Sequence, residues 1–314
     1  MTSVLQPAFT IVHHMAALDV PAGPPNSMAA ILACLQAGAD VVEVDITALA
    51  GRDFLLVHDD SLENETDGHG PVAACRPETA RQLRLRQAGE VSSHPVPLLS
   101  NVVEAWLESG SPTRLQLDFK SVDPAVDDET LQALVDLVAP LGQRVIVSSG
   151  ADWHLRRLRQ LAPELPLGFD PMWLIDWVPA GVNRDPRTFP VRLGAYGYFD
   201  DHLLASERRT TTSRYLRQRC EGMLGLVPGV QTFYLDHELI AQSLVDGFNW
   251  AEALQAEGIA LDAWTLDVTN PRACAHAPGL LAAGVGLFTS NTPKALAELL
   301  ARSSGAGCLP SETG

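Results

Sequence analysis

Short apolar runs alternate with helix-length amphipathic segments along almost the whole chain. That alternation constrains the fold more than any other feature, because parallel strands need long crossovers and helices supply them. The first unit sets the pattern. Phe9 to His13 reads as a buried strand, Ser27 to Gln36 as a helix stopped by Gly38, and Val41 to Thr47 as the next strand. Phe54 to Val57 follows Gly51 as a short antiparallel return, and Asp59 to Pro97 is a polar insertion with an Arg-rich helical stretch around Thr79 to Gln87.

The rhythm resumes with a helix near Asn101 to Glu108, a strand at Leu115 to Phe119, a helix around Glu129 to Val138 and a strand at Arg144 to Val147. Asp152 to Leu161 reads as a helix and Pro166 to Phe169 as a strand. Met172 to Gly229 interrupts the pattern, with a helix expected from about Ser206 to Arg219. Thr232 to Leu235, Leu261 to Leu266 and Val285 to Thr289 supply three more strands, with a helix from Ser243 to Ala256. The count is eight, the number of a closed (β/α)8 TIM barrel, although an open doubly wound sheet has a similar local pattern. The expected architecture is one barrel domain over residues 1–302, with a short insertion after strand 2 and a longer excursion between strands 5 and 6. The Gly- and Ser-rich tail from Ser303, residues 303–314, is expected to be disordered.

Thirty-eight acidic against 22 basic residues give a formal net charge of -16, a field that repels nucleic acid and anionic membrane surfaces. A phosphorylated small molecule would be repelled at long range too, so its site must reverse the potential locally with a metal or a buried lysine. The five cysteines are scattered and never form C-x-x-C, which fits neither a disulfide framework nor a thiolate zinc site. With no leader-like N-terminus and no apolar run near the roughly 20 residues of a membrane span, a cytoplasmic protein is expected.

Catalytic groups of such barrels sit at the carboxyl ends of strands. Here those ends carry His13 and His14, Glu43 and Asp45, His58 and Asp59, then Asp118 and Lys120. Glu43 and Asp45 stand two apart in a strand and so share a face. Two carboxylates that close repel unless a cation lies between them. A hard divalent ion, Mg²⁺ or Ca²⁺ with Mn²⁺ as an alternative, answers that need, with Asp118 of the neighbouring strand as third ligand.

These residues carry a resemblance. The stretch IVHHMAALDVPAGPPNSMAAILACLQAGADVVEVDITALAGRDFLLVHDDSLENETDGHG resembles the opening of the glycerophosphodiester phosphodiesterase family, which runs H-R-G, P-E-N-T, G-A-D-x-x-E-x-D-V, a return ending in H-D, then T-x-G. LQLDFK, VIVSSG, DAWTLD and GVGLFTSNTP continue the likeness over nearly the whole chain. The resemblance implies a metal-dependent phosphodiesterase that releases an alcohol and glycerol 3-phosphate. One divalent ion would sit on Glu43, Asp45 and Asp118, with His13 and His58 as acid and base and Lys120 on the phosphate. This chain departs from the pattern at His14 for Arg, Met15 for Gly, Pro25 for Glu, Asp118 for Glu and Ser290 for Asp. Neutral histidine cannot imitate a guanidinium fork, so His14 is expected as a single phosphate donor.

Trp264, ending the seventh strand, reads either as a wall of the substrate pocket or as a core aromatic. Asn26 is expected to hold the first loop or cap the following helix, and His69 to make a loop contact. His94, His154, His202, His237 and His276 read as surface or capping residues. Two other activities fit less well. In a lysophospholipase D-type enzyme, Trp173, Leu174, Ile175 and Trp177 would line an acyl channel, although they equally suit a cover over a barrel face. A non-catalytic phosphoester-binding barrel would explain the departures but not the joint survival of two histidines and three carboxylates.

Overall fold

Ser27 and Gly38 bracket the first helix, Met28–Ala37. The Ser27 hydroxyl accepts the Ala30 N–H at 3.2 Å, and Gly38 turns the chain out at φ 71°, a left-handed conformation that costs glycine little. That exit delivers the chain into the second strand of a closed barrel. The computed structural model describes residues 9–122, 126–177, 196–197 and 210–305.

The barrel strands are β1 (Thr10–His13), β2 (Val41–Ala48), β3 (Arg114–Phe119), β4 (Val145–Ser149), β5 (Leu167–Phe169), β6 (Thr232–Asp236), β7 (Ala260–Trp264) and β8 (Leu287–Ser290). Each pairs in parallel with the next, and β1 closes the ring by pairing with both β8 and β2. The expected (β/α)8 barrel is therefore the fold. Helices follow each strand on the outside, where Val42, Val44, Ile46, Leu115, Leu117 and Phe119 meet Leu99, Trp106 and Leu131 in one continuous core. Each such side chain stabilises the fold by about 1.5–3 kcal/mol through burial. No helix among the described residues is long and apolar enough to cross a membrane.

The insertion after β2 has its own small core, in which Leu55, Val57, Leu62, Val72, Leu83, Leu85 and Leu98 pack together. Phe54–Leu55 returns antiparallel against Thr47 and Ala48, as expected. The helical stretch expected over Thr79 to Gln87 is not there. A single turn, Pro77–Ala80, leads into a hairpin of Arg84–Gln87 against Glu90–Pro95. Ala88 and Gly89 both have positive φ, 51° and 85°, which is a turn that matches strand twist. Alternation of Leu83 and Leu85 with arginines then buries one face only.

Two further helices differ from expectation. Ser243 to Ala256 is two helices, His237–Val245 and Trp250–Gln255, broken at Gly247 with φ 83°. In the excursion, Ile175–Asp176 pairs in parallel with Tyr196–Gly197, and the helix runs Thr212–Leu226, later than sequence suggests. Trp173 stacks on Trp153, with ring centroids 6.1 Å apart, while Leu174 and Trp177 pack against the main core. These side chains cover the barrel wall. The last helix, Pro293–Gly305, continues three residues into the tail expected to be disordered. Residues 306–314 lie outside the described residues.

Candidate functional site

Strand parity builds the site. Glu43 is in register with Gln116, and Asp45 with Asp118, so the two acidic positions of β2 and the inward positions of β3 share the barrel interior. They open at the carboxyl ends into a cavity of about 280 Å³. Its walls include His14, Glu43, His58, Asp118, Lys120 and Trp264, with Asp170 and Tyr234 opposite.

Glu43, Asp45 and Asp118 offer oxygens that all lie within 4.8 Å of one another. Glu43 Oε2 accepts the Met15 N–H at 2.7 Å, while its Oε1 is buried with no hydrogen-bond partner among the described residues. Burial first, then Asp45 and Asp118, push the Glu43 pKa well above the usual carboxylate range. Asn26 fixes Asp45: its amide donates to Asp45 Oδ2 at 2.9 Å and its oxygen accepts the Asp45 N–H at 3.2 Å. Asn26 sits at φ 59°, and Met15 at φ 50°, so the first loop holds left-handed backbone where it touches the carboxylates.

Lys120 Nζ lies 2.5 Å from Asp118 and 3.2 Å from Asp45. Burial opposes its charge, but Asp118, Asp45 and Glu43 outweigh it and raise the lysine pKa. Three carboxylates against one ammonium leave the cluster two charges short of neutrality when all are ionised. An orphaned buried oxygen in an all-oxygen set fits a hard divalent cation.

The histidines divide by face. His13 pairs in register with Val42 and Ser290, so it points outward to the helices. Its Nδ1 bonds the Ala17 carbonyl at 2.8 Å and lies 3.8 Å from Cys34 Sγ, and it lines a separate surface hollow with Leu18 and Asp40. Burial lowers its pKa. The expected convergence of His13 with His58 is therefore not what the fold provides. His14 enters the cavity instead, with Nδ1 2.9 Å from Asn291 Oδ1. His58 enters from the other side, with Nδ1 3.0 Å from Asp59 Oδ1.

Ser290 also faces away. Its hydroxyl accepts the Thr292 N–H at 2.9 Å and lies 3.3 Å from Asp267, so it caps the turn into the last helix. Pro25 is exposed. His154 and His237 are buried rather than on the surface, His237 with its Nδ1 3.0 Å from that of His276. Trp264 does line the cavity.

Asp170, which ends β5, and Asn291 are absent from the sequence-based set. Burial, then Asp118, push Asp170 up to about 8. The strand-end rule that singles out Asp118 applies equally to LGFD, whereas Asn291 meets His14 only through barrel closure. Gln116, Ser148 and Thr289 also line the cavity; Asp262 Oδ1 accepts the Thr289 hydroxyl at 2.9 Å and Gln116 reaches Ser148 at 3.3 Å.

Residues 19–173 match the model of the glycerophosphoryl diester phosphodiesterase family. A glycerophosphodiester phosphodiesterase of Caldanaerobacter subterraneus is 25% identical over 150 residues, which is 46% of this chain and 60% of that protein's length. Among solved structures, a glycerophosphodiester phosphodiesterase from Parabacteroides distasonis superposes with a TM-score of 0.65 at 15% identity, covering 95% of this chain and 98% of that one. An Oleispira antarctica phosphodiesterase, solved with the product sn-glycerol-3-phosphate, gives 0.63 at 18% identity over 93% and 96%. With the barrel, the carboxylate triplet and the strand-end histidines in place, the chain belongs to the glycerophosphoryl diester phosphodiesterase family.

Proposed function

We propose that this protein hydrolyses glycerophosphodiesters to an alcohol and glycerol 3-phosphate, with a divalent cation, Mg²⁺ or Ca²⁺, on Glu43, Asp45 and Asp118. The observation that carries the proposal is the convergence of Glu43, Asp118, Lys120, His14 and His58 on one cavity, with Asp45 beside the two carboxylates just behind its wall. A bound cation supplies positive charge to a non-bridging phosphate oxygen. Lys120 adds its ammonium to the same group, held at the cavity by Asp45 and Asp118.

His14 and His58 are the proton-transfer pair. One takes a proton from the attacking oxygen, which is water or the glycerol 2-hydroxyl, and the other returns one to the leaving alkoxide. With both Nδ1 atoms engaged, by Asn291 and by Asp59, each ring has Nε2 left for this work. His13 has no part in it. The family's H-R-G order then falls on His14, Met15 and Ala16, and Met15 contributes a backbone N–H to Glu43 where an arginine fork would meet phosphate. Phosphate binding rests on the cation and Lys120.

The catalytic domain is read as residues 1–302. Cys34, Cys75 and Cys220 are buried free thiols, which supports a cytoplasmic enzyme. Incubation with glycerophosphocholine, glycerophosphoethanolamine and lysophosphatidylcholine, with glycerol 3-phosphate assayed enzymatically, tests the reading. Release of glycerol 3-phosphate from the first two is expected. Turnover confined to lysophosphatidylcholine would replace it with a lysophospholipase D.

A further inference from the structure

His58 leaves the insertion at the cavity rim, and a closed set of polar contacts holds it there. Asp59 Oδ1 lies 3.0 Å from His58 Nδ1, and Asp59 Oδ2 accepts the Asn64 amide at 2.7 Å. Glu65 Oε1 accepts the backbone N–H of both His58, at 2.9 Å, and Asp59, at 2.7 Å. The loop that carries these groups is pinned beneath by Val57 and Leu62 in the insertion's own core, and Thr66 bonds back to the Leu62 carbonyl.

The chemistry of the acceptor fixes the proton. Hydrogen bonds from Asn64 and His58 hold Asp59 below the ordinary carboxylate range, so it is ionised at neutral pH. An ionised carboxylate can only accept, so the imidazole nitrogen facing it carries hydrogen and the other nitrogen is bare. His58, Asp59 and Glu65 also bring ligand-type atoms within 4.8 Å of one another, but Asp59 and Glu65 Oε1 are already occupied by N–H donors. The contacts serve the histidine.

We propose that Asp59, clamped by Asn64 and Glu65, is a positioning residue that fixes His58 as the Nδ1–H tautomer and presents a bare Nε2 to the phosphodiester. This rests on the assignment of His58 to proton transfer. Asp59 touches no substrate atom and acts through His58 alone. The pair is partly open to solvent, with side-chain exposures of 53% for His58 and 36% for Asp59. The effect of losing it is therefore set at about 10–100-fold, the range of outer partners of functional histidines, rather than the roughly 10⁴-fold seen for a buried aspartate behind a catalytic histidine.

The test reads tautomer and turnover separately. Long-range ¹H–¹⁵N correlation of histidine-labelled protein at about pH 9, where imidazole is neutral, is recorded for the wild type, Asp59→Asn and Asp59→Glu, with His58→Gln assigning the signal. The wild type should show His58 as Nδ1–H. In Asp59→Asn the side-chain amide donates instead and the ring should become Nε2–H. Its kcat on glycerophosphocholine should fall about 10–100-fold with KM within about twofold, and Asp59→Glu should recover both tautomer and part of kcat. An Nε2–H ring in the wild type overturns the proposal, as does an Asp59→Asn enzyme with unchanged tautomer and kcat. The tautomer is measured without substrate, so it stands apart from the functional reading, which fails instead if His58→Gln turns over normally.

Discussion

At His13 and His14 the end of β1 decides which of two adjacent histidines reaches the cavity, because His13 keeps the side-chain alternation of the strand and His14 opens the turn that follows it. His13 is in register with outward Val42, and His14 follows it into the cavity. His14→Ala should lose about 10²–10⁴-fold in kcat, whereas His13→Ala should stay within a few-fold; steady-state kinetics on glycerophosphocholine decide, and the reverse order would contradict the parity argument. The pair HH is plain in the sequence, but TIV before it is apolar on both faces, so periodicity leaves its parity open. Glu43 and Asp45 suffer no such ambiguity, because two acids at alternate positions among Val and Ile already mark the inward face. Glu43→Gln removes a ligand charge and should weaken Mn²⁺ binding at least about tenfold by calorimetry. Equal affinity would take the ion off this carboxylate.

Elements were legible where pattern and punctuation agree. Ser27 and Gly38 bound the first helix within a residue, and Asp152–Leu161 is a helix over the span that its amphipathic pattern marks. They were not legible where propensity and turn chemistry conflict. RQLRLRQ contains good helix formers, yet Ala88-Gly89 closes a hairpin because the insertion's core accepts only alternate leucines. Close approach inside the barrel is another such feature. Gly168 of β5 lies under Tyr234 of β6, where an added Cβ would come 2.4 Å from a ring carbon. Gly168→Ala should cost about 1–3 kcal/mol in urea unfolding, as overpacking does. A loss below about 0.5 kcal/mol would mean that the ring yields freely.

Across the whole molecule the inward carboxylates that carry the proposed function also set a pH response. Burial, with Asp170 adding to it, pushes Asp262 up to about 8, opposed by its bond from Thr289. An unfolded aspartate loses its proton near 3.9. Between those values the folded chain binds more protons than the unfolded one, so Asp262 makes stability fall as pH rises from about 4 to 8. Asp262→Asn keeps the acceptor for Thr289 and removes this loss. Relative to wild type, it should gain at least about 1 kcal/mol in chemical denaturation between pH 5 and pH 8. Parallel pH curves would contradict the burial argument. For a chain of net charge -16, the proposed cation would supply the local positive charge that a phosphodiester requires. The most direct measurement is glycerol 3-phosphate release from glycerophosphocholine before and after exhaustive chelation, followed by readdition of Mg²⁺ or Ca²⁺. Activity should vanish with chelator and return with the ion; turnover indifferent to chelation would contradict a cation on Glu43, Asp45 and Asp118.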